Sequence, residues 1–216
     1  INARLDREKD FDFYRFEARK GETWIFDLRA ARNGNGLDAA LILLDQRGAE
    51  LRHVEDHFIW DPFFAHTFAS DGVYHLAVQP NRRINPYFAY QLDIRQSPHL
   101  ATVSPIAFSP GETREATVFG AGIRDPDAEV WFDAPGFEAE VIVVRGDEAR
   151  LRLRVPAKAP PGEYHLALQT AAGRSSAAAF LVDDTPRHDG GQELQIPTSV
   201  TGIIRYRRPE SFFFRA

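Results

Sequence analysis

The chain has 216 residues, 44% of them hydrophobic and 12% aromatic, which is enough for one or two packed cores. A net charge of −5, with Arg dispersed among Asp and Glu, leaves no basic footprint for nucleic acid. The longest apolar stretch, Ala177-Ala-Ala-Phe-Leu-Val182, falls far short of the roughly 18 residues that a membrane helix needs.

Apolar residues alternate at period two along the first half: Phe11, Phe13 and, after Tyr14, Phe16, then Trp24-Ile-Phe-Asp-Leu28, Ala40-Leu-Ile-Leu-Leu44 and Tyr74-His-Leu-Ala-Val78. Turn residues separate these candidate strands at Lys20-Gly21, Asn33-Gly-Asn-Gly36, Gln46-Arg-Gly48, Ser70-Asp-Gly72 and Asn85-Pro86. The pattern restarts near Gln96-Ser-Pro98 with Ala101-Thr-Val103, Ala116-Thr-Val-Phe119, Glu129-Val-Trp-Phe132 and Ala139 to Val144. It continues with the strictly alternating Ala149-Arg-Leu-Arg-Leu-Arg-Val155, whose Arg side chains point outward, then Tyr164 to Leu168 and Ala177 to Val182. No dozen residues keep a 3.6-residue period. The expected fold is therefore all-β: two β-sandwiches in tandem, jelly-roll-like over 1–96 and immunoglobulin-like over 97–182.

The polar stretch Asp183 to Gln195 reads as a linker, and beyond it the chain repeats its own beginning. Glu210-Ser-Phe-Phe-Phe-Arg-Ala216 echoes Asp12-Phe-Tyr-Arg-Phe-Glu-Ala18, and Val200-Thr-Gly-Ile-Ile204 echoes Ile1-Asn-Ala-Arg-Leu5. Residues 183–216 are thus expected to hold a linker and the opening strands of a further jelly-roll copy, with the chain an internal piece of a tandem array. Ile203 to Ala216 should pair with a sheet edge, of its own chain or of a second copy, the latter giving self-association.

Asp10-Phe-Asp-Phe-Tyr-Arg-Phe-Glu-Ala18, Gly21-Glu22, Leu37-Asp38 with Leu41 to Leu44, Gly48 and Asp71-Gly-Val-Tyr74 follow one another in order. This set resembles the bacterial pre-peptidase C-terminal (PPC) domain, over residues 1–96. The acidic linker that usually opens that family stands instead at Asp183-Asp-Thr-Pro186, ahead of the second copy. Residues 100–182 are similar to IPT/TIG immunoglobulin-like domains through Val103-Ser-Pro105, Val118-Phe-Gly-Ala-Gly122, Val130-Trp-Phe132 and Ala159-Pro-Pro-Gly-Glu-Tyr164. Both resemblances imply extracellular or cell-envelope modules that bind or space neighbouring domains and are not themselves catalytic.

Several clusters are candidates for chemistry. His53-Val-Glu-Asp-His57, with Asp61 and His66, has zinc-ligand residue types, but on a strand its two imidazoles stand roughly 13 Å apart, and the Glu does not follow the first His as a helical metallopeptidase requires. Asp10 and Asp12, with Asp6 and Glu8 upstream, are candidate calcium ligands, as are Asp183 and Asp184 by the family resemblance. Asn33-Gly-Asn-Gly36 lacks the strand-then-helix setting of a phosphate cradle and reads as a flexible hairpin loop. No nucleophile elbow or Ser-His-Asp order is legible, so no catalytic residue is assigned. Trp60, Phe63 and Tyr87 are candidates for an aromatic ligand platform, since flat rings stack on apolar ligand faces at little entropic cost. The expected function is a structural and interaction module that spaces other domains and contacts a surface polysaccharide or protein. The alternative is an accessory substrate-binding module of a secreted hydrolase, with calcium as an optional ligand.

Overall fold

The computed structural model describes residues 1–5, 10–82 and 87–185, together with the backbone of four short strands at 187–189, 193–194, 199–201 and 213–214. The chain is all-β and divides into two compact units, Ile1–Gln96 and Ser97–Ala216.

Eight strands build the first unit: β1 (Asn2–Arg4), β2 (Asp12–Ala18), β3 (Thr23–Arg29), β4 (Ala39–Leu44), β5 (Glu50–Val54), β6 (Phe63–Thr67), β7 (Gly72–Pro80) and β8 (Ala89–Arg95). They form two antiparallel sheets in the orders β1-β8-β3-β6 and β2-β7-β4-β5. The first strand therefore pairs with the eighth, the second with the seventh, the third with the sixth and the fourth with the fifth. That nested pairing is a jelly roll, a long hairpin folded over into two facing sheets. It also sends the β1–β2, β3–β4, β5–β6 and β7–β8 connections to one end of the sandwich and the remaining turns to the other.

Alternation aims Tyr14 and Phe16 of β2 inward, while Phe13, Arg15 and Glu17 face out. The core is aromatic: the Phe26 and Phe64 ring centroids lie 4.8 Å apart, those of Phe16 and Trp24 4.9 Å, and those of Phe68 and Tyr74 4.5 Å. Each fully buried ring among these, such as Phe26 and Phe68, contributes about 1.5–3 kcal/mol of transfer free energy.

The second unit runs through β9 (His99–Ser104), β10 (Ala107–Phe108), β11 (Thr113–Ala121), β12 (Glu129–Phe132), β13 (Glu138–Arg145), β14 (Glu148–Arg154), β15 (Gly162–Thr170), β16 (Gly173–Arg174) and β17 (Ala178–Val182). One sheet has the order β13-β14-β11-β9; the other is β10-β17-β15-β12, with β16 hairpinned on β15. This is the immunoglobulin arrangement, with the opening strand split between the sheets so that β10 lies parallel to β17. Phe180 centres the core, its ring 5.7 Å from Phe108 and 5.6 Å from Phe137. On β14, Ala149, Leu151 and Leu153 are buried while Arg150, Arg152 and Arg154 point out. Arg152 reaches Glu140 at 2.8 Å and Arg154 reaches Glu138 at 3.3 Å, exposed pairs each contributing less than about 1 kcal/mol. A bulge at Phe119/Gly120 brings the β9 backbone so near that a Cβ on Gly120 would lie 1.9 Å from the His99 carbonyl oxygen.

Both units fasten a corner in the same way. The Tyr74 hydroxyl donates to the Ser70 carbonyl and the Tyr164 hydroxyl to the Pro160 carbonyl, each at 2.8 Å and four residues back across a Gly-x-Tyr step. The second of these is the tyrosine corner of immunoglobulin-like sandwiches.

Past β17, β18 (Arg187–Asp189) pairs in parallel with β20 (Ser199–Thr201), and β19 (Glu193–Leu194) with β21 (Phe213–Phe214). Of the stretch expected to pair with a sheet edge, Phe213 and Phe214 do pair, with Glu193 and Leu194, in a two-stranded ribbon; 203–212 and 215–216 lie outside the described residues. Among the described residues no helix is long and apolar enough to cross a membrane.

Candidate binding end of the jelly roll

The β5–β6 connection narrows to a two-residue turn. Phe58 and Asp61 exchange backbone hydrogen bonds of 3.0 Å in each direction, leaving Ile59 and Trp60 at the tip. Ile59 has φ +61° and is the single non-glycine residue with positive φ among those described. Positive φ at the first central position alone is the signature of a type II′ turn, where glycine normally sits. A β-branched side chain there is strained by about 1–3 kcal/mol. The strained residue displays apolar surface: Ile59 is 70% and Trp60 44% exposed.

Below the tip lies a buried ionic network. Asp61, with no exposed surface, accepts the backbone N–H groups of Ala30 and Ala31 at 2.9 and 2.8 Å on one oxygen. Its other oxygen accepts the backbone N–H and the Nε–H of Arg32 at 3.0 and 2.9 Å. The Arg32 Nη2 continues to Asp27 at 2.6 Å and to the Leu28 carbonyl at 2.7 Å, and its guanidinium lies 4.6 Å from the Phe58 ring centroid. Arg29 grips the second oxygen of Asp27 at 2.8 Å and reaches Asp93 at 3.5 Å. Burial pushes the Asp61 carboxyl toward the neutral form, but the N–H groups and guanidinium of Arg32, with Ala30 and Ala31, outweigh it and hold its pKa below the usual carboxylate range. Burial likewise works against the Arg32 charge, and Asp27 and Asp61 reverse that, so its pKa is raised. Removing one member of such a network leaves a buried charge without its partner, which costs about 3–5 kcal/mol.

The same network reaches a second feature. Asn2, Gln91 and Arg29 are register partners on β1, β8 and β3, on the outer face of that sheet, and Asn33 and Asn35 of the β3–β4 connection lean over them. Together with Ala3, Ala89 and Tyr90 they line a hollow of about 280 Å³. Asn35 accepts the Leu37 N–H at 3.2 Å and donates to the backbone carbonyl of Tyr87, a residue 83% exposed, at 3.2 Å. The side-chain amides of Asn2, Asn33 and Gln91 form no hydrogen bond with a described residue.

Of the three platform candidates, Trp60 and Tyr87 stand exposed at this end and Phe63 does not. Phe63 points to the outer face of its sheet, but the β5–β6 connection folds over it, with His57 at 5.1 Å and Phe58 at 5.5 Å between ring centroids, and leaves it 7% exposed. It is a wall beneath the turn and has no open face for a ligand. Asn33-Gly-Asn-Gly36, expected as a hairpin loop, instead crosses between the two sheets, with Asn33, Gly34 and Gly36 exposed. It opens with a 3₁₀ turn at Ala31–Asn33 that Gly34 closes at φ +79°, and Gly36 lies against the Phe88 ring.

The metal candidates stand apart from one another. His53 faces Glu50 and Glu55, each at 3.7 Å, whereas His57 packs on Phe58 and His66 on Phe68. Asp12 accepts the Tyr90 hydroxyl, which in turn meets the Tyr14 hydroxyl at 2.7 Å. Burial first, then Asp12 and Tyr14, drives the Tyr90 pKa far upward, so Tyr90 remains a neutral donor. Asp183 accepts the Thr185 backbone N–H and hydroxyl at 2.9 and 2.5 Å, and Asp184 is exposed. Asp6 and Glu8 lie outside the described residues, among which no three His, Asp or Glu gather to hold a metal.

Two pairs have parts of a hydrolytic triad. His165 Nδ1 meets Asp133 at 2.8 Å, but its Nε2 faces Glu163 at 3.5 Å where a nucleophile would be needed. The Ser176 hydroxyl, 3.0 Å from His99 Nδ1, also bonds both backbone groups of Leu100, as a strand tie would. A larger hollow of about 650 Å³ lies at the turn end of the jelly roll. Two of its carboxylates serve the local backbone: Glu22 takes the Arg19 N–H and the Trp24 indole, and Asp71 takes the Lys20 N–H.

No family-wide sequence profile matches the chain, and no curated protein does. Among solved structures, the SGBP-B protein of the Bacteroides ovatus mixed-linkage glucan utilization locus, solved with a mixed-linkage heptasaccharide, is similar at 14% identity and a TM-score of 0.34. The match covers 77% of this chain, which spans 43% of that protein. A chimeric titin Z1Z2-Z1Z2 tandem matches at 14% identity and a TM-score of 0.27, over 76% of this chain and 93% of that one. Titin domains Z1Z2 in complex with telethonin match at 15% identity and a TM-score of 0.23, over 81% and 96%. Similarities this faint say nothing about the site.

Proposed function

We propose that this chain is a non-catalytic interaction and spacer module of a modular exported or cell-surface bacterial protein, in which the loop end of the jelly roll makes the contact and the immunoglobulin-like unit sets its reach. The observation that carries this reading is Ile59 at φ +61°, exposed beside Trp60 on a turn clamped by the buried Asp61–Arg32–Asp27 network. A domain that only spaced its neighbours would gain stability from glycine at that position. Keeping a strained apolar residue there fits a surface held ready for a partner, because backbone strain persists where function uses it. Trp is also one of the residue types most enriched at binding hot spots. The resemblance of 1–96 to PPC domains and of 100–182 to IPT/TIG domains supports the exported setting.

The test is co-sedimentation of the whole chain with insoluble bacterial cell-wall and polysaccharide preparations. Wild type should pellet with at least one of them, and Trp60→Ala, with an unchanged melting temperature, should remain in the supernatant. If Trp60→Ala pellets as wild type does, or if neither pellets with any preparation, the reading is wrong.

A further inference from the structure

We infer that the hollow formed by Asn2, Gln91, Arg29, Asn33 and Asn35 is a binding subsite for a neutral polysaccharide chain. The inference rests on the interaction-module reading and names the ligand class.

The hollow is built by register. Asn2, Gln91 and Arg29 lie in one row across three hydrogen-bonded strands, where neighbouring Cβ atoms on one face stand about 5 Å apart. A row of that spacing suits a ligand with polar groups every few ångströms along its length. Three of the lining side chains, Asn2, Asn33 and Gln91, have amides not spent on any described residue, and an amide offers a donor and an acceptor together. Sugar hydroxyls are likewise donor and acceptor at once, and adjacent hydroxyls match an amide in a bidentate manner. An apolar ligand would strand the amides at a cost of about 1–3 kcal/mol each.

Charge decides between neutral and acidic chains. Arg29 is the cation of the hollow, and Asp27 at 2.8 Å and Asp93 at 3.5 Å neutralise it. An anionic ligand would therefore meet no net positive field. Arg29 is also fixed by those contacts, so its remaining N–H groups are pre-aimed and lose little entropy on binding. A hollow of about 280 Å³ lies at the small end of the range for ligand sites, which fits a short stretch of a chain that runs on past it. A peptide would satisfy the amides too. Peptides, however, are usually captured along a free strand edge, and this row lies on the face of its sheet.

The experiment uses the whole chain with cellohexaose, xylohexaose and mannohexaose as neutral probes, and hexagalacturonate and a Gly/Ser hexapeptide as contrasts. Side-chain amide NMR resonances and calorimetric titration are the readouts. At least one neutral hexasaccharide should shift the Asn2, Asn33 and Gln91 amide resonances while both contrasts leave them in place. Asn33→Ala and Gln91→Ala should each weaken that binding about tenfold, the worth of one lost hydrogen bond, with melting unchanged. Silence toward every neutral probe overturns the inference, as does binding of a contrast in their place, or binding that survives Asn33→Ala intact. If the inference falls while Trp60→Ala still abolishes co-sedimentation, the interaction module stands and its ligand is of another class. If the sugars bind and Trp60→Ala changes nothing, the contact end is the hollow and the displayed turn is not part of it.

Discussion

Replacing Ile59 tests whether the turn is strained. At φ +61° a β-branched residue is strained by about 2 kcal/mol, the middle of the usual range. Glycine removes that strain but loosens the unfolded chain, at a cost of about 0.7 kcal/mol. Since Ile59 is 70% exposed, truncation forfeits only about a third of an isoleucine's burial, roughly 0.6 kcal/mol. The net expectation for Ile59→Gly is a gain of about 0.7 kcal/mol, which in a unit of this size raises its melting temperature by about 3–6 °C. Ile59→Ala is the control, because it loses the same side chain yet keeps the Cβ that clashes at positive φ. At ordinary positions alanine is the more stable of the two by about 0.5–1 kcal/mol; here the order should invert. Scanning calorimetry of wild type and both variants decides it. An alanine variant that melts at or above the glycine variant refutes the reasoning, since the turn then holds no strain that Gly relieves.

Three further outcomes follow from the packing. The Asp61 carboxylate is more acidic folded than unfolded, so the stability it contributes is present above its unfolded value near 3.8 and is lost as pH falls through the lower folded value. Acid titration of the unfolding midpoint should show this loss in wild type, and Asp61→Asn should be less stable by about 3 kcal/mol near neutrality with a flatter acid limb. Gly120→Ala drives a Cβ into the His99 carbonyl and should cost more than about 3 kcal/mol, abolishing the second unit's melting transition while leaving the first unit's in place. Tyr164→Phe and Tyr74→Phe each delete one 2.8 Å bond to a corner carbonyl and should each lower stability by about 1 kcal/mol in urea titrations, with an unchanged slope.

Local chemistry was legible in the sequence where it is local in the fold. The alternation in Ala149 to Val155 gave the buried and outward sides of β14 directly, because a strand with one wet face writes its orientation at period two. Phe63 defeated the same rule. Period two sends Phe63 and Phe64 to opposite faces of the strand, but the β5–β6 connection covers the outer face, so both residues are buried. The ionic network was illegible for a different reason: Asp27, Asp61 and Arg32 look like ordinary surface charges until a 3₁₀ turn and a tight hairpin are brought together over one sheet. Ile59 carries no turn signature, since the glycine that would have marked the position is the residue it replaces. The amide row joins positions almost ninety residues apart through the β1–β8 register, and no window along the chain spans that distance.

The terminal strands of the two units are arranged oppositely, and tension would treat them differently. In the jelly roll β1 is antiparallel to β8, with the Ile1 amino group bonded to the Leu92 carbonyl at 3.0 Å. A pull on the two chain ends of that unit therefore loads the hydrogen bonds one after another, and the outer strand peels like a zip. In the immunoglobulin-like unit β10 runs parallel to β17, Ala107 against Leu181 and Phe108 against Val182. There a pull slides one strand lengthwise past the other and loads all of their bonds at once. Stretched, such a chain would give way first at the jelly roll and last at the immunoglobulin-like unit.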